Sequence, residues 1–334
     1  VDAHHHQISS QNIANINAEN FQVIALSMFR KQYEGNLVYK NYVDALKILP
    51  TDVTSMEAIP FLPISFFKTH PVVTGSKTTD EATLVFESSG TSATVNSKHY
   101  VLRPEIYEAA YLNSFKQFYG APEDYVFLAL LPSYLERKNA SLVYMIQGLM
   151  KQSNHPSNGF YMNEWAELAT RLKALKDERR KLFLIGVTYA LLDFAAAYPM
   201  NLEDVIVMET GGMKGRKKEW TRTEVHDFLK QQWQLWAVHS EYGMTELLSQ
   251  AYAMGDGLFK AAHTMKIMVR DVNDPLDTRE TGTGCLNIID LANEDSCAFI
   301  ATEDMGCVYA DGRFEVLGRM DHSALRGCSL MGDL

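Results

Sequence analysis

No stretch of this sequence is a run of ~18–20 apolar residues of the kind that spans a bilayer, so no membrane span is expected. Cysteine is scarce: the four are Cys285, Cys297, Cys307 and Cys328, and no two stand as C-x-x-C. That spacing argues against a zinc ribbon or a thioredoxin-type motif. So few in 334 residues make no disulfide framework, and a reducing cytoplasm is the expected setting. An excess of positive charge is missing too. The net charge of −10 argues against a general nucleic-acid binder, whose affinity comes from neutralising phosphates. A nucleotide pocket needs only local donors and remains open. The one dense basic cluster, Lys214-Gly215-Arg216-Lys217-Lys218, reads as a solvated loop. The first residues, Val1-Asp2-Ala3-His4-His5-His6, have no signal-peptide core, and no metal site is placed on them. There is no G-x-S-x-G elbow, no H-E-x-x-H and no Walker A pattern, which removes the commonest hydrolase, zinc-protease and P-loop readings.

What is present is an ordinary globular composition, 46% hydrophobic and 22% charged, long enough for one large domain or two smaller ones. Apolar spacing of two to four predicts helix across residues 13–49, and Pro60 and Pro63 then mark an extended connection over 56–67. Beyond it, strands are expected at 83–86, 125–131, 182–185, 204–208 and 235–239. Helices are expected at 104–117, 141–150, 165–175, 193–198 and 219–233. Such alternation implies an α/β core with a mainly parallel sheet. After about residue 257 the pattern turns to strands, at 263–269, 284–290, 297–301 and 313–317, which suggests a smaller β subdomain. The expected division is a helical N-terminal region over 1–75 packed on the core, a nucleotide-binding α/β core over 76–256, and a β subdomain with a tail over 257–334.

In open parallel sheets ligands bind beyond the carboxyl ends of strands. Three segments there carry suitable chemistry. The first is Ser88-Ser89-Gly90-Thr91-Ser92-Ala93-Thr94, whose hydroxyls and backbone N–H groups suit an anionic oxygen cluster; its plain alternative is a Ser/Thr surface turn. The second is Gly211-Gly212-Met213, where missing side chains let a flat base approach the backbone. The third, Glu241-Tyr242-Gly243-Met244-Thr245-Glu246, offers a ring to stack, a glycine for close approach, a hydroxyl and a carboxylate for Mg²⁺. Tyr242 as ordinary core is its rival reading. Two further segments follow. Asp304, in Thr302-Glu303-Asp304, is placed to accept ribose hydroxyls, or is simply a turn aspartate. Arg319, in Gly318-Arg319-Met320-Asp321, could reach ribose or phosphate.

Taken in order, these five segments resemble the adenylate-forming superfamily of acyl-CoA synthetases. Ser88-Ser89-Gly90-Thr91-Ser92 resembles its phosphate loop, Gly211-Gly212 its adenine-side loop, and Tyr242-Gly243-Met244-Thr245-Glu246 its tyrosine-glycine-x-threonine-glutamate motif. Asp304 falls where a ribose aspartate is expected, and Gly318-Arg319-Met320-Asp321 resembles the segment leading into the hinge. Three other stretches are similar to one branch, the acyl-protein synthetases of bacterial bioluminescence (LuxE-like proteins): Pro63-Ile64-Ser65-Phe66-Phe67-Lys68, Leu131-Pro132-Ser133-Tyr134-Leu135-Glu136-Arg137, and Leu325-Arg326-Gly327-Cys328-Ser329-Leu330. The sequence departs from the superfamily at Ala93, where glycine is usual, and in the lysine close behind, for which Lys98 is the nearest candidate. No stretch resembles the superfamily's C-terminal lid with its lysine.

The resemblance implies the fold of the superfamily's N-terminal domain and a two-step reaction with ATP and Mg²⁺ as cofactors. A fatty or other carboxylic acid becomes an acyl-adenylate and then a thioester. The hydroxyls of Ser88, Ser89, Thr91, Ser92 and Thr245 would hold phosphate, Glu246 would ligate Mg²⁺, Tyr242 and Gly212 would bracket adenine, and Asp304 with Arg319 would hold ribose. Cys328 would accept the acyl group, with Arg326 favouring its thiolate; a small apolar residue in a packed tail is the alternative. The other cysteines lie in expected strands and read as buried. His239 reads either as a wall of the acyl pocket or as a core histidine. An NADPH-dependent acyl-protein reductase is the implied partner. Two other readings remain: an acyl- or aryl-CoA ligase, and a non-catalytic nucleotide- or acyl-binding subunit.

Overall fold

The computed structural model describes residues 8–76, 78–88, 95–135, 139–176, 179–211 and 220–320. The chain opens with α1 (Phe21–Gly35) and α2 (Leu37–Ala45), followed by β1 (Leu62–Pro63) and α3 (Phe66–Thr69). Next come β2 (Leu84–Glu87), β3 (Lys98–Val101), α4 (Pro104–Tyr119), β4 (Tyr125–Leu130), α5 (Pro132–Leu135) and α6 (Ser141–Ser153). These are followed by β5 (Gly159–Tyr161), α7 (Trp165–Ala174), β6 (Lys181–Val187), α8 (Thr188–Ala197), β7 (Ile206–Thr210), α9 (Arg222–Trp233) and β8 (His239–Tyr242). The remainder is β: β9 (Ala251–Ala253), β10 (Lys260–Ala261), β11 (Met265–Arg270), β12 (Thr278–Arg279), β13 (Gly282–Asp290), β14 (Phe299–Val308) and β15 (Phe314–Arg319).

One sheet has seven strands in the order β10-β9-β8-β7-β6-β4-β5. β5, β4, β6, β7 and β8 run parallel, and β9 and β10 add antiparallel to one edge. Its inner strands are continuous apolar runs such as Tyr125–Leu130, as expected of strands covered on both faces. Helix α4 seals one face with Phe115, whose ring lies 5.6 Å from both Phe127 and Phe183. A second sheet of six strands has the order β1-β14-β13-β11-β12, with β15 paired to β14. The N-terminal helices pack on this second sheet: Phe29 and Tyr39 set their rings against Phe299. The α/β fold with a mainly parallel sheet and a smaller β region agrees with the sequence expectation.

Local departures have local causes. The helix expected over 13–49 is broken at Asn36, which is extended and caps α2 by accepting from the Tyr39 N–H. Its amide also donates to the Ser296 carbonyl at 3.0 Å, tying the break to the second sheet. The helix expected at 193–198 starts earlier, at Thr188, directly after β6; it is apolar on several sides, so no single face marks its beginning. At α9 the helix begins after Thr221, which forms a capping box with Glu224. The strand expected at 235–239 is shifted to His239–Tyr242, because α9 ends on the left-handed Gln234 and Trp236 is turned out to solvent. Cys285 is buried in β13 as expected; Cys297 is buried but lies in the connection just before β14, not in a strand, and Cys307 is in β14 but only half-buried.

One departure matters for the site. β2 does not join the parallel sheet. It pairs antiparallel with β3, Phe86 opposite His99 and Glu87 opposite Lys98. The ten residues between those partners are too few for a parallel crossover. The strand that leads into Ser88 therefore belongs to a hairpin and not to the parallel sheet.

Candidate functional site

The described parts of the site converge on residues 241–246, at the carboxyl end of β8. Tyr242 is the last residue of that strand and is buried. Its hydroxyl donates to Asp304 Oδ2 at 2.9 Å. Asp304 lies on β14 opposite Arg319 of β15, and Arg319 Nε donates to Asp304 Oδ1 at 3.1 Å. Both oxygens of one buried carboxylate are thus engaged, one from each sheet. The Tyr242 ring is held by Phe259 and Phe314, with centroids 5.8 and 5.6 Å away. Burial first, and the neighbouring Asp304 charge second, push the Tyr242 hydroxyl well above its ordinary pKa, so it stays a donor.

The β2–β3 hairpin is fastened to the same turn. His99 is buried and its Nδ1 lies 2.9 Å from the Thr245 carbonyl, the nitrogen acting as donor. Burial depresses this histidine to about 4, so the ring is neutral. At the foot of the hairpin connection the Ser88 N–H donates to the Ser97 carbonyl, and the Ser97 N–H donates back to Ser88 Oγ. Ser97 lies beside Glu246, whose carboxyl is buried and raised above its ordinary pKa by that burial. The Glu246 carbonyl accepts from Asn293 Nδ2 at 2.8 Å. Ser88 thus belongs to a hairpin that His99 fastens to the Thr245–Glu246 turn. Lys98 points along the hairpin toward Glu87, 3.9 Å away and largely exposed.

Gly211 follows β7 at φ +72°, a conformation that favours glycine. Thr188 Oγ1 donates to the Gly211 carbonyl at 3.2 Å and to the buried Glu209 carboxylate at 2.7 Å. Burial alone would raise Glu209, but His226, Arg222 and the neighbouring hydroxyls outweigh it and hold this carboxyl below its ordinary pKa. Beside Gly211, Thr210 Oγ1 donates to Glu241 Oε2 at 2.6 Å. Gly211, Gly243 and Thr245 line one cavity of about 80 Å³ with Glu241 and Gln250.

The placements divide as follows. Tyr242, Asp304 and Arg319 form one chain of contacts; Ser88 sits at the foot of the hairpin that His99 fastens to Thr245 and Glu246; Gly211, Gly243 and Thr245 share a cavity wall. Ser89, Gly90, Thr91, Ser92, Gly212, Met213 and Cys328 lie outside the described residues. His239 is half-buried, with its Nδ1 3.0 Å from the Tyr119 hydroxyl, and burial lowers it to about 4. Among the described residues no group of three or more metal-ligating side chains exists. Glu246 as a single carboxylate fits Mg²⁺ shared with substrate phosphates, the usual arrangement for that ion. Sequence reasoning passed over His99, Ser97, Glu209 and Gln250, whose roles come from contacts distant in the chain. It also gave no task to Glu241, although that residue stands inside the quoted motif.

No family model and no curated protein matches this sequence. Solved structures do. A 2-hydroxyisobutyryl-CoA ligase in its postadenylation state, bound to R3-HIB-AMP, superposes with a TM-score of 0.67 at 13% identity, over 96% of this chain and 74% of that one. ATP-bound MatB from Rhodopseudomonas palustris gives 0.52 at 16% identity, over 74% of this chain and 50% of that one. An ATP-bound RpMatB-BxBclM chimera gives 0.56 at 14% identity, over 74% and 49%. The fold is that of the N-terminal domain of adenylate-forming enzymes. The chain spans about half the length of the MatB proteins it matches. At these identities the likeness to adenylate-forming enzymes concerns the backbone arrangement, and the chemistry has to be argued from this chain's own residues. No helix among the described residues is long and apolar enough to cross a membrane.

Proposed function

We propose that this chain activates a carboxylic acid with ATP. The carboxylate oxygen attacks the α-phosphorus, pyrophosphate leaves, and an acyl-adenylate is formed. A thiolate sulfur then attacks the acyl carbon and AMP leaves. The observation that carries the reading is the convergence of segments at 88, 211, 243–246, 304 and 319 on the turn after β8, within an adenylate-forming fold.

Each group has a task that follows from its setting. Ser88 and Thr245, with the hydroxyls and backbone of 89–92, would position phosphate oxygens, since positioning and electrostatics dominate phosphorus chemistry. Glu246 would bind Mg²⁺, which when present offsets phosphate charge. Gly211, Gly212 and Met213 would let adenine approach the backbone, with Gly243 and Tyr242 behind it. Asp304 would accept ribose hydroxyls. Its bond to Arg319 suits an exchange of partners, because the Arg319 side chain is 76% exposed and such ion pairs are weak in water. Tyr242 would keep the carboxylate aimed while Arg319 moves to the nucleotide.

The acyl acceptor we infer is Cys328, as in the LuxE-like acyl-protein synthetases that the sequence resembles, and the acid is then a fatty acid or a related carboxylate. That resemblance alone carries the NADPH-dependent reductase as onward acceptor. Coenzyme A is the second reading, favoured by the neighbouring ligase whose structure holds 2-HIB-AMP and CoA. Carboxylate-dependent exchange of pyrophosphate into ATP tests activation. Cys328→Ser is expected to keep exchange and lose hydroxylamine-labile labelling by radioactive acid. Labelling that persists in the variant would remove Cys328 as acceptor, and absence of exchange with any acid would end the activation reading.

A further inference from the structure

The cavity beneath residues 243–245, whose Gly211, Gly243 and Thr245 face the proposed nucleotide, also carries two polar side chains that the reaction above does not use. Glu241 is buried, and among the described residues its carboxylate has one hydrogen-bond donor, Thr210 on Oε2. Its Oε1 lies 2.5 Å from where a Cβ on residue 243 would stand, so the glycine leaves that oxygen uncovered. Gln250, on the same wall, is 4% exposed, and its Oε1 is buried without a hydrogen-bond partner. No Lys, Arg or His is among the described residues around this cavity. Buried polar groups are almost always satisfied, so an acceptor such as Gln250 Oε1 without a donor is a cost unless a ligand supplies one. Burial pushes the Glu241 carboxyl up to about 7, as expected of a carboxylate without a counter-charge. Leu142 and Met145 of α6 add an apolar side to a wall that also carries the hydroxyls of Ser141 and Thr245.

We propose that this cavity recognises a hydrogen-bond-donating amino or hydroxyl group on the carboxylic acid, with Glu241 and Gln250 as its acceptors, so that the substrate is a polar-substituted acid and not a plain fatty acid. This rests on the acid-activation reading and replaces the plain fatty acid that the LuxE-like resemblance implies with a related, polar-substituted carboxylate. A site built around acceptors rejects an analogue that lacks the donor, because desolvated acceptors are then left unpaired.

The test is pyrophosphate exchange over matched series: butyrate, 4-hydroxybutyrate and 4-aminobutyrate, then hexanoate, 6-hydroxyhexanoate and 6-aminohexanoate, with a long-chain fatty acid alongside. The expected result is a kcat/KM for a donor-bearing acid at least about tenfold above its plain counterpart. Glu241→Leu should invert that ratio, and Gln250→Leu should reduce it. Should Glu241→Leu fail to fold, the isosteric Glu241→Gln serves: it should lower the amino-to-hydroxy ratio by removing the charge. Equal or better exchange with the plain or long-chain acids, or a ratio unmoved by these variants, overturns this inference while leaving acid activation standing. Exchange with no acid at all overturns both.

Discussion

The Tyr242 hydroxyl and Asp304 Oδ2 lie 2.9 Å apart, and they belong to different sheets. This contact joins the parallel core to the β region at the point where the nucleotide is proposed to lie. Tyr242→Phe removes the donor and leaves a buried carboxylate oxygen unmet, a loss of about 1–3 kcal/mol in stability. AMP affinity should fall with it, since the carboxylate loses its orientation. Urea denaturation and AMP titration of the variant check both; unchanged AMP binding would separate Asp304 from the ribose.

The hairpin is held over the turn by the contact of His99 with the Thr245 carbonyl. His99→Phe keeps the ring volume and removes the donor. The KM for ATP is expected to rise several-fold with a smaller change for the acid. Amide exchange across residues 84–101 should become faster while the parallel strands stay protected.

Glu246 has a buried carboxyl that lies beside Ser97. Glu246→Gln keeps the shape and removes the charge that would ligate Mg²⁺. Exchange should drop by about a hundredfold or more, in line with the several kcal/mol of charge stabilisation a catalytic metal supplies. AMP measured without Mg²⁺ should still bind. Loss of AMP binding under those conditions would assign Glu246 to the fold and not to the metal.

Glu241 gives a pH signature. Its folded-state pKa is raised by burial from 4.5 to about 7, so the folded protein holds this proton more tightly than the unfolded chain does. Its contribution is fully present below about 4.5 and is lost as pH rises through about 7, by an amount on the order of 3 kcal/mol. The buried histidines act in the opposite sense. His99 and His239 are lowered from 6.5 to about 4, so their contribution is lost as pH falls through that window. The difference between Glu241→Gln and wild type isolates the carboxyl: the variant should gain on wild type between pH 5 and pH 7.5 in denaturation midpoints.

Much of the architecture was legible because its signals are short-range. Apolar runs such as 125–130 and the shift to strands beyond residue 257 are written in neighbouring residues, and backbone hydrogen bonding converts those periods into elements. The strand expected at 204–208 is present for the same reason, displaced to Ile206–Thr210 with Gly211 after it. The hairpin was misplaced because a strand's partner is not encoded in its own composition. Thr83-Leu84-Val85-Phe86 reads alike whether the neighbour is parallel or antiparallel, and only the pairing of Phe86 with His99 settles it.

The order of the five segments, and hence the resemblance to adenylate-forming enzymes, was set by the sequence by itself. Only the tertiary structure decided how they meet. Tyr242 reaches Asp304 across 62 positions, His99 reaches Thr245 across 146, and Asn293 reaches the Glu246 carbonyl across 47. Glu241 shows the limit most clearly: its letter is visible inside the motif, but the surroundings of its carboxylate depend on burial and on the bare backbone of Gly243. Local propensity acts over a few residues, whereas burial and electrostatic environment are properties of everything the fold brings within a few ångströms.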